Sequence, residues 1–182
     1  MREHILQWPE DAGKLDALHS GDIVYLSGTI YTARDAAHRR FVSLLQAGEG
    51  TPVDLRDSAI FYAGPSPCPP GHVCGSIGPT TSSRMEIYKE DMMKAGMKLM
   101  IGKGSSDPGL PALCQRYGAA YLVAMGGVAA LTAHCIRSME TVAWPELGAE
   151  AVRRLTVERL PLVVIDDIYG NDYFIDLAQK RE

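Results

Sequence analysis

At 182 residues, 46% hydrophobic and 22% charged, the chain has the composition of a folded globular protein and falls outside the disordered class. No apolar run approaches the roughly 18 residues that span a bilayer, and MREHILQWPEDAG lacks the long apolar core of a secretory leader, so a cytoplasmic protein is expected and a membrane protein is not. The 18 basic and 22 acidic residues leave a net charge of −4 and are scattered rather than banded, which argues against nucleic acid as a partner while leaving a small anion open at local arginines.

Residues 3–8 (EHILQW) read as an edge strand that Pro9 ends. Residues 10–19 read as a short helix with Ala12, Leu15 and Leu18 along one side, Gly21-Asp22 as a turn, and residues 23–26 (IVYL) as a buried strand. Residues 34–46 carry Ala37, Phe41, Leu44 and Leu45 in a helical apolar stripe that Gly48 and Gly50 stop. A second strand at 59–63 (AIFYA) ends at Gly64-Pro65.

The stretch 64–84, GPSPCPPGHVCGSIGPTTSSR, crowds Pro65, Pro67, Pro69 and Pro70 ahead of Gly71, Gly75, Gly78 and Pro79, and cannot be regular throughout. With only about 60 residues before it, it reads as a long loop inside one domain of residues 1–182 rather than as a linker. Thr80-Thr81 can open a helix near 80–83, and residues 86–95 favour one. A strand at 98–101, a helix at 110–117 closed by Gly118, a strand at 119–125, a Gly126-Gly127 turn and a small apolar helical turn at 128–134 follow. Strands at 152–158 and 162–166 flank Pro161, and Gly170-Asn171 turns the chain. Short strands alternating with helices indicate an α/β protein with mixed sheets.

Cys68, Cys74, Cys114 and Cys135 include no C-x-x-C and no zinc spacing. Cys114 and Cys135 read as core thiols. Cys68, Cys74 and His72 sit in the Gly/Pro loop, where the histidine is either an acid or base or a plain solvated side chain. Asp166-Asp167, after an apolar run, read as a solvated strand end.

Three junctions combine small residues, a hydroxyl and a cation: SGTIYTARD ending in Arg34-Asp35, GPTTSSR with Thr80 and Arg84, and GKGSS with Lys103. Each can turn backbone N–H groups toward an anion beside an Arg or Lys, and two arginines with a lysine suit a dicarboxylate. The plainer alternatives stay open at this point. Thr80 and Ser83 would serve equally as helix caps, Arg34, Asp35 and His38 as a surface ion pair, and Lys103 lacks the spacing of a Walker A loop.

Taken in order, SGTIYTARDAAHRR, IFYAGPSPCPPGHVCGSIGPTTSSRM, MIGKG and YGAAYLVAMGG resemble the beta subunit of class I fumarate hydratase, which is also the C-terminal domain of single-chain class I fumarases. The chain is also similar to the beta subunit of L-tartrate dehydratase, although GTIYTARDAAHRR with PCPPGHVCGSIGPTT looks more like the fumarase. The resemblance covers about residues 20–175.

The resemblance implies a β/β/α swivelling domain related to the mobile domain of aconitase, and reversible anti addition of water to fumarate to give (S)-malate. It implies an oxygen-sensitive [4Fe–4S] cluster whose cysteine ligands lie in an alpha subunit, so a hetero-oligomer is expected, with a homodimer of this chain as a further expectation. Carried over by motif, Arg34 of TARD, Arg84 of GPTTSSR and Lys103 of GKG bind substrate, and Thr80 is the catalytic base. No residue here is expected to bind metal. The loop GKGSSDPG departs from the more usual GKGGM. A non-catalytic module binding a small anion is the reading from another class.

Overall fold

Alternate residues of the strands enter two different apolar clusters, and this period of two sets the architecture. A computed structural model describes residues 1–105, 107–124 and 129–179. In chain order the elements are β1 (Glu3–Trp8), β2 (Ile23–Thr32), α1 (Asp35–Gln46), β3 (Ala59–Phe61), β4 (Ala63–Pro65), β5 (Ile77–Pro79), α2 (Glu86–Lys94), β6 (Leu99–Gly102), α3 (Leu110–Tyr117), β7 (Ala120–Ala124), α4 (Ala129–His134), β8 (Ile136–Ala143), β9 (Val152–Asp166) and α5 (Tyr173–Gln179). Single 3₁₀ turns occupy Ala12–Ala17, Ser82–Met85 and Pro145–Glu150.

Strands β1, β2, β3, β6 and β7 run parallel in that order. The long β9 runs antiparallel to β7 and also to β2, so β2, β3, β6, β7 and β9 close on themselves as a partial barrel. Strand β8 pairs with the first half of β9 from outside. The chain is thus an α/β protein. Val24, Leu26, Ala59, Phe61, Leu99, Ile101, Ala120 and Leu122 fill one cluster. Their neighbours Ile60, Met100 and Tyr121 join Phe41, Met92, Leu110 and Cys114 of α1, α2 and α3 in the other.

The structure extends or corrects several expectations. Strand β2 continues past Leu26 to Thr32, so most of the first junction is strand and only Arg34-Asp35 is a turn into a helix. The helix expected at 10–19 is a 3₁₀ turn. The two strands expected around Pro161 are the single β9. Strand β8 pairs with residues 152–157 and β7 with residues 162–166, so around Pro161 one side of β9 carries no strand among the described residues, and a missing N–H costs no ladder bond there. Strand β8 went unread because its outward residues are polar and half its length is exposed.

Asp166 and Asp167 are fully buried, the reverse of a solvated strand end. The Asp167 carboxylate accepts the backbone N–H groups of Ser20, Tyr169 and Asn171 at 2.9, 2.9 and 3.1 Å and so fixes the turn. Cys114 is buried in the helix-side cluster, and Cys135, half-buried, packs against the other cluster. The expected Gly126-Gly127 turn lies outside the described residues. Among the described residues no helix is long and apolar enough to cross a membrane.

Candidate functional site

The carboxyl ends of adjacent parallel strands are where α/β sheets leave backbone groups free for ligands, and the four singled-out residues meet there. Arg34 follows the end of β2, and the preceding Ala33 N–H donates to the Phe61 carbonyl at the end of β3, 3.1 Å. Lys103 is the first residue past β6. Thr80 is carried in by the β4–β5 ladder, which pairs Ala63 with Pro79, and its own N–H donates to the Tyr62 carbonyl at 2.6 Å. The Tyr62 N–H donates in turn to the Ile101 carbonyl of β6 at 2.8 Å. Thr81 bridges to Lys103 in parallel register. The loop 64–84 is therefore long, but its last residues form an extra ladder on the strand ends.

Neither Thr80 nor Ser83 makes a capping bond among the described residues. The 3₁₀ turn Ser82–Met85 has Thr81 at its N-cap with no side-chain bond, and α2 has none at Met85. Ser82 is instead turned inward. Its Oγ lies 2.7 Å from the Tyr121 Oη and 3.4 Å from the Lys103 carbonyl, and the Tyr121 hydroxyl also reaches the Gly104 carbonyl at 3.1 Å. Both glycines of GKG have a steric reason. A Cβ at Gly102 would lie 2.0 Å from the Ser82 Oγ, and Gly104 has φ +83°.

The arginine side is held by carboxylates. Arg34 Nη2 lies 3.5 Å from Glu150 Oε1, and the other oxygen of Glu150 accepts the Ala36 N–H at 2.9 Å in the first turn of α1. Arg84 Nη1 lies 3.9 Å from Asp35 Oδ2, which ties the second arginine to the residue after the first. The Arg34 Nε and Asp35 Oδ1 are buried with no hydrogen-bond partner among the described residues. Lys103, Arg84 and Thr81 are exposed, and Thr80 and Arg34 are half-buried.

Polar groups also lie beneath this edge. His38 is fully buried rather than part of a surface pair. Its Nδ1 donates to the Arg34 carbonyl at 2.9 Å and its Nε2 has no hydrogen-bond partner among the described residues. Burial, with Lys89 adding to it, outweighs the Arg34 carbonyl and Asp35 and pulls the imidazole down to about 4, so it is neutral near pH 7. Lys89 is 1% exposed, its Nζ has no hydrogen-bond partner among the described residues, and it sits 5.7 Å from the Tyr121 ring centroid. Burial pulls its ammonium below the usual lysine range.

A cleft of about 440 Å³ opens between the 69–76 loop, α4 and β8, lined by His72, Cys74, His134 and Arg137 among others, and it contains none of the four residues. The His72 Nδ1 is used locally on the Pro70 carbonyl at 3.1 Å. Cys68 is exposed, Cys74 and Cys114 are buried, and burial pushes the Cys74 and Cys114 thiols up. Among the described residues no three His, Cys, Asp or Glu side chains gather so as to hold a metal ion. The cysteines of this chain do not fit the ligand set of an iron–sulfur cluster.

Sequence reasoning missed Glu150, Ser82 and Tyr121. Glu150 lies in a stretch with no readable periodicity, and the alternation AAYLVA could have shown Tyr121 facing away from its apolar neighbours.

The fumarase C-terminus family matches residues 3–177. The chain is 40% identical over 158 residues to "Fumarate hydratase class I, aerobic" of Escherichia coli strain K12, covering 85% of this chain and 29% of that protein. It is 38% identical over 154 residues to "Fumarate hydratase 1, mitochondrial" of Leishmania major, covering 84% of this chain and 28% of that one. It is 38% identical over 187 aligned positions to "L(+)-tartrate dehydratase subunit beta" of Escherichia coli strain K12, covering 98% of this chain and 92% of that subunit. The chain thus spans under a third of the fumarate hydratases it matches.

Proposed function

Because the chain belongs to the fumarase C-terminus family, we propose that it is the beta subunit of a hydro-lyase that adds water reversibly to fumarate to give (S)-malate. The observation that carries this reading is the meeting of one threonine and three cations at the ends of β2, β3 and β6. Arg34 and Arg84 flank the edge where a dicarboxylate would bind, and each can grip a carboxylate with two parallel N–H bonds. Both are balanced by partners that substrate can displace, since Glu150 and Asp35 hold them at 3.5 and 3.9 Å, beyond hydrogen-bond length. Lys103 adds a compact charge from the third strand.

We assign to Thr80 the removal of the proton from the carbon beside a bound carboxylate. Its hydroxyl is a weak base on its own, so the proton must pass onward to a group on the partner subunit. The nearby cations favour the anionic form. An alpha subunit would bring and ligate the [4Fe–4S] cluster, since no metal-holding group of side chains gathers among the described residues. The relative named "subunit beta", aligned over 92% of its length, supports a separate partner chain.

That same relative favours L-tartrate as a second substrate reading. The test is co-expression with an adjacent cysteine-bearing alpha subunit and anaerobic assay on fumarate, (S)-malate and both tartrates. Fumarate hydration by the pair, with neither activity nor an iron–sulfur visible band from this chain alone, is the expected result. Turnover of L-tartrate alone selects the second reading. A pair that binds dicarboxylates without turnover on any of them leaves an anion-binding module.

A further inference from the structure

We infer that Tyr121 and Ser82 form a buried clamp that positions Lys103, joining the segment that carries Thr80 and Arg84 to the loop that carries the lysine. The inference rests on the reading of Lys103 as a substrate-binding group. Lys103 is exposed, sits past the end of its strand, and is followed by a glycine at φ +83°, so nothing in its own segment fixes it. Beyond the backbone bridge to Thr81, the fixing contacts come from below. Tyr121 is fully buried on the helix-covered face of β7, and its ring is packed among apolar residues. Its hydroxyl is the polar end of that ring and points at the Lys103-Gly104 turn.

Proton counting gives two orders for this group, and both end on the same loop. If Ser82 donates to the Tyr121 Oη, the tyrosine proton goes to the Gly104 carbonyl, 3.1 Å away. If Tyr121 donates to the Ser82 Oγ, the serine proton goes to the Lys103 carbonyl, 3.4 Å away. Either way one buried chain of two hydroxyls anchors a carbonyl at or beside the lysine. The close approach depends on Gly102, where a side chain would strike the Ser82 Oγ. Burial holds the Tyr121 phenol above its ordinary value, so it stays a donor across the working pH range. The same Ser82 starts the turn that runs to Arg84, so one serine sets the spacing between Lys103 and the threonine–arginine segment.

Tyr121→Phe keeps the ring and removes the hydroxyl that joins Ser82 to the Gly104 carbonyl, leaving only the long 3.4 Å contact from Ser82 to the Lys103 carbonyl. In the complex with its alpha subunit, KM for (S)-malate should rise about tenfold with kcat within about threefold, and Ser82→Ala should do the same. Lys103→Met should itself raise KM, and adding Tyr121→Phe to Lys103→Met should change KM by less than about twofold, because the clamp acts through the lysine. An undiminished tenfold effect in the Lys103→Met background overturns the clamp, as does wild-type KM in both single variants. A second arm needs no turnover. In the full chain, amide hydrogen exchange at Lys103 and Gly104 should speed up at least about tenfold in Tyr121→Phe while the β7 core keeps its protection. Unchanged exchange there overturns the clamp even if the complex proves inactive on every hydroxy acid, an outcome that by itself removes only the hydro-lyase reading.

Discussion

The two sides of the strand edge are held by different physics. On the threonine–lysine side, position is set by backbone bonds of 2.6 and 2.8 Å through Tyr62 and by the buried Ser82–Tyr121 pair. On the arginine side, two long side chains rest against carboxylates at 3.5 and 3.9 Å, partly in water. Buried hydrogen bonds fix geometry, whereas half-exposed ion pairs are worth under about 1 kcal/mol and can be exchanged for substrate carboxylates. The proposed reaction would call for this division, because a proton-transfer group has to be placed closely and a binding cation has to be released to its ligand.

The comparison is broken most severely at Thr80. Thr80→Ala should lower kcat by roughly 10²–10⁴ in the complex while the melting temperature hardly moves, since this hydroxyl caps no helix among the described residues. Loss of stability with turnover intact would return Thr80 to a structural role.

His38 tests what lies under the arginine side. Its folded value of about 4 lies below the 6.5 of an exposed imidazole, so the unfolded chain binds the proton first. The stability this contributes is complete above about pH 6.5 and is lost as pH falls toward 4, amounting to roughly 3 kcal/mol. Urea melts from pH 7.5 to pH 4 should show this loss, and His38→Gln should flatten it by about that amount. An equal acid slope in the variant would place the titration elsewhere.

Arg34→Lys and Arg84→Lys should each lower kcat/KM by about 10–150-fold, because an ammonium cannot reproduce the two-pronged grip on a carboxylate. Wild-type kinetics in both would make them ordinary surface cations. The smallest effect is expected from Glu150→Gln, which removes the charge facing Arg34 and the α1 N-terminus. It should cost under about 1 kcal/mol by thermal melting and move KM by less than about threefold. A loss several times larger would mean that the arginine side is as rigid as the threonine side.

Much of this edge was legible in the sequence, for specific reasons. The GKG glycines, the proline-rich run before GPTT and the TARD turn into an amphipathic helix are local chemistry, and they placed Arg34, Thr80, Arg84 and Lys103 at junctions. The α/β class followed from short strands alternating with helices. What stayed hidden is long-range. That residues 152–166 form one strand closing a barrel depends on β2 and β7, which lie far away in the chain, and Pro161 argued locally for a break. Asp166 and Asp167 look like a solvated pair until the Ser20 and Asn171 segments fold over them. Glu150 reaches Arg34 across 116 positions, and no local pattern announces such a pair. The roles of the four residues came from the resemblance, whereas the structure supplies their common location.

In the proposed mechanism the cations of this edge bind the dicarboxylate and Thr80 does the proton transfer. Calorimetric titration of (S)-malate into the alpha–beta complex, beside kcat for the same preparations, tests it most directly. With Thr80→Ala the dissociation constant should stay within about threefold of wild type while kcat falls at least about 100-fold, and with Arg84→Lys malate should bind at least about tenfold more weakly. A folded Thr80→Ala complex that turns over within about threefold of wild type, or one that loses malate binding as fully as the arginine variant does, would contradict the claim.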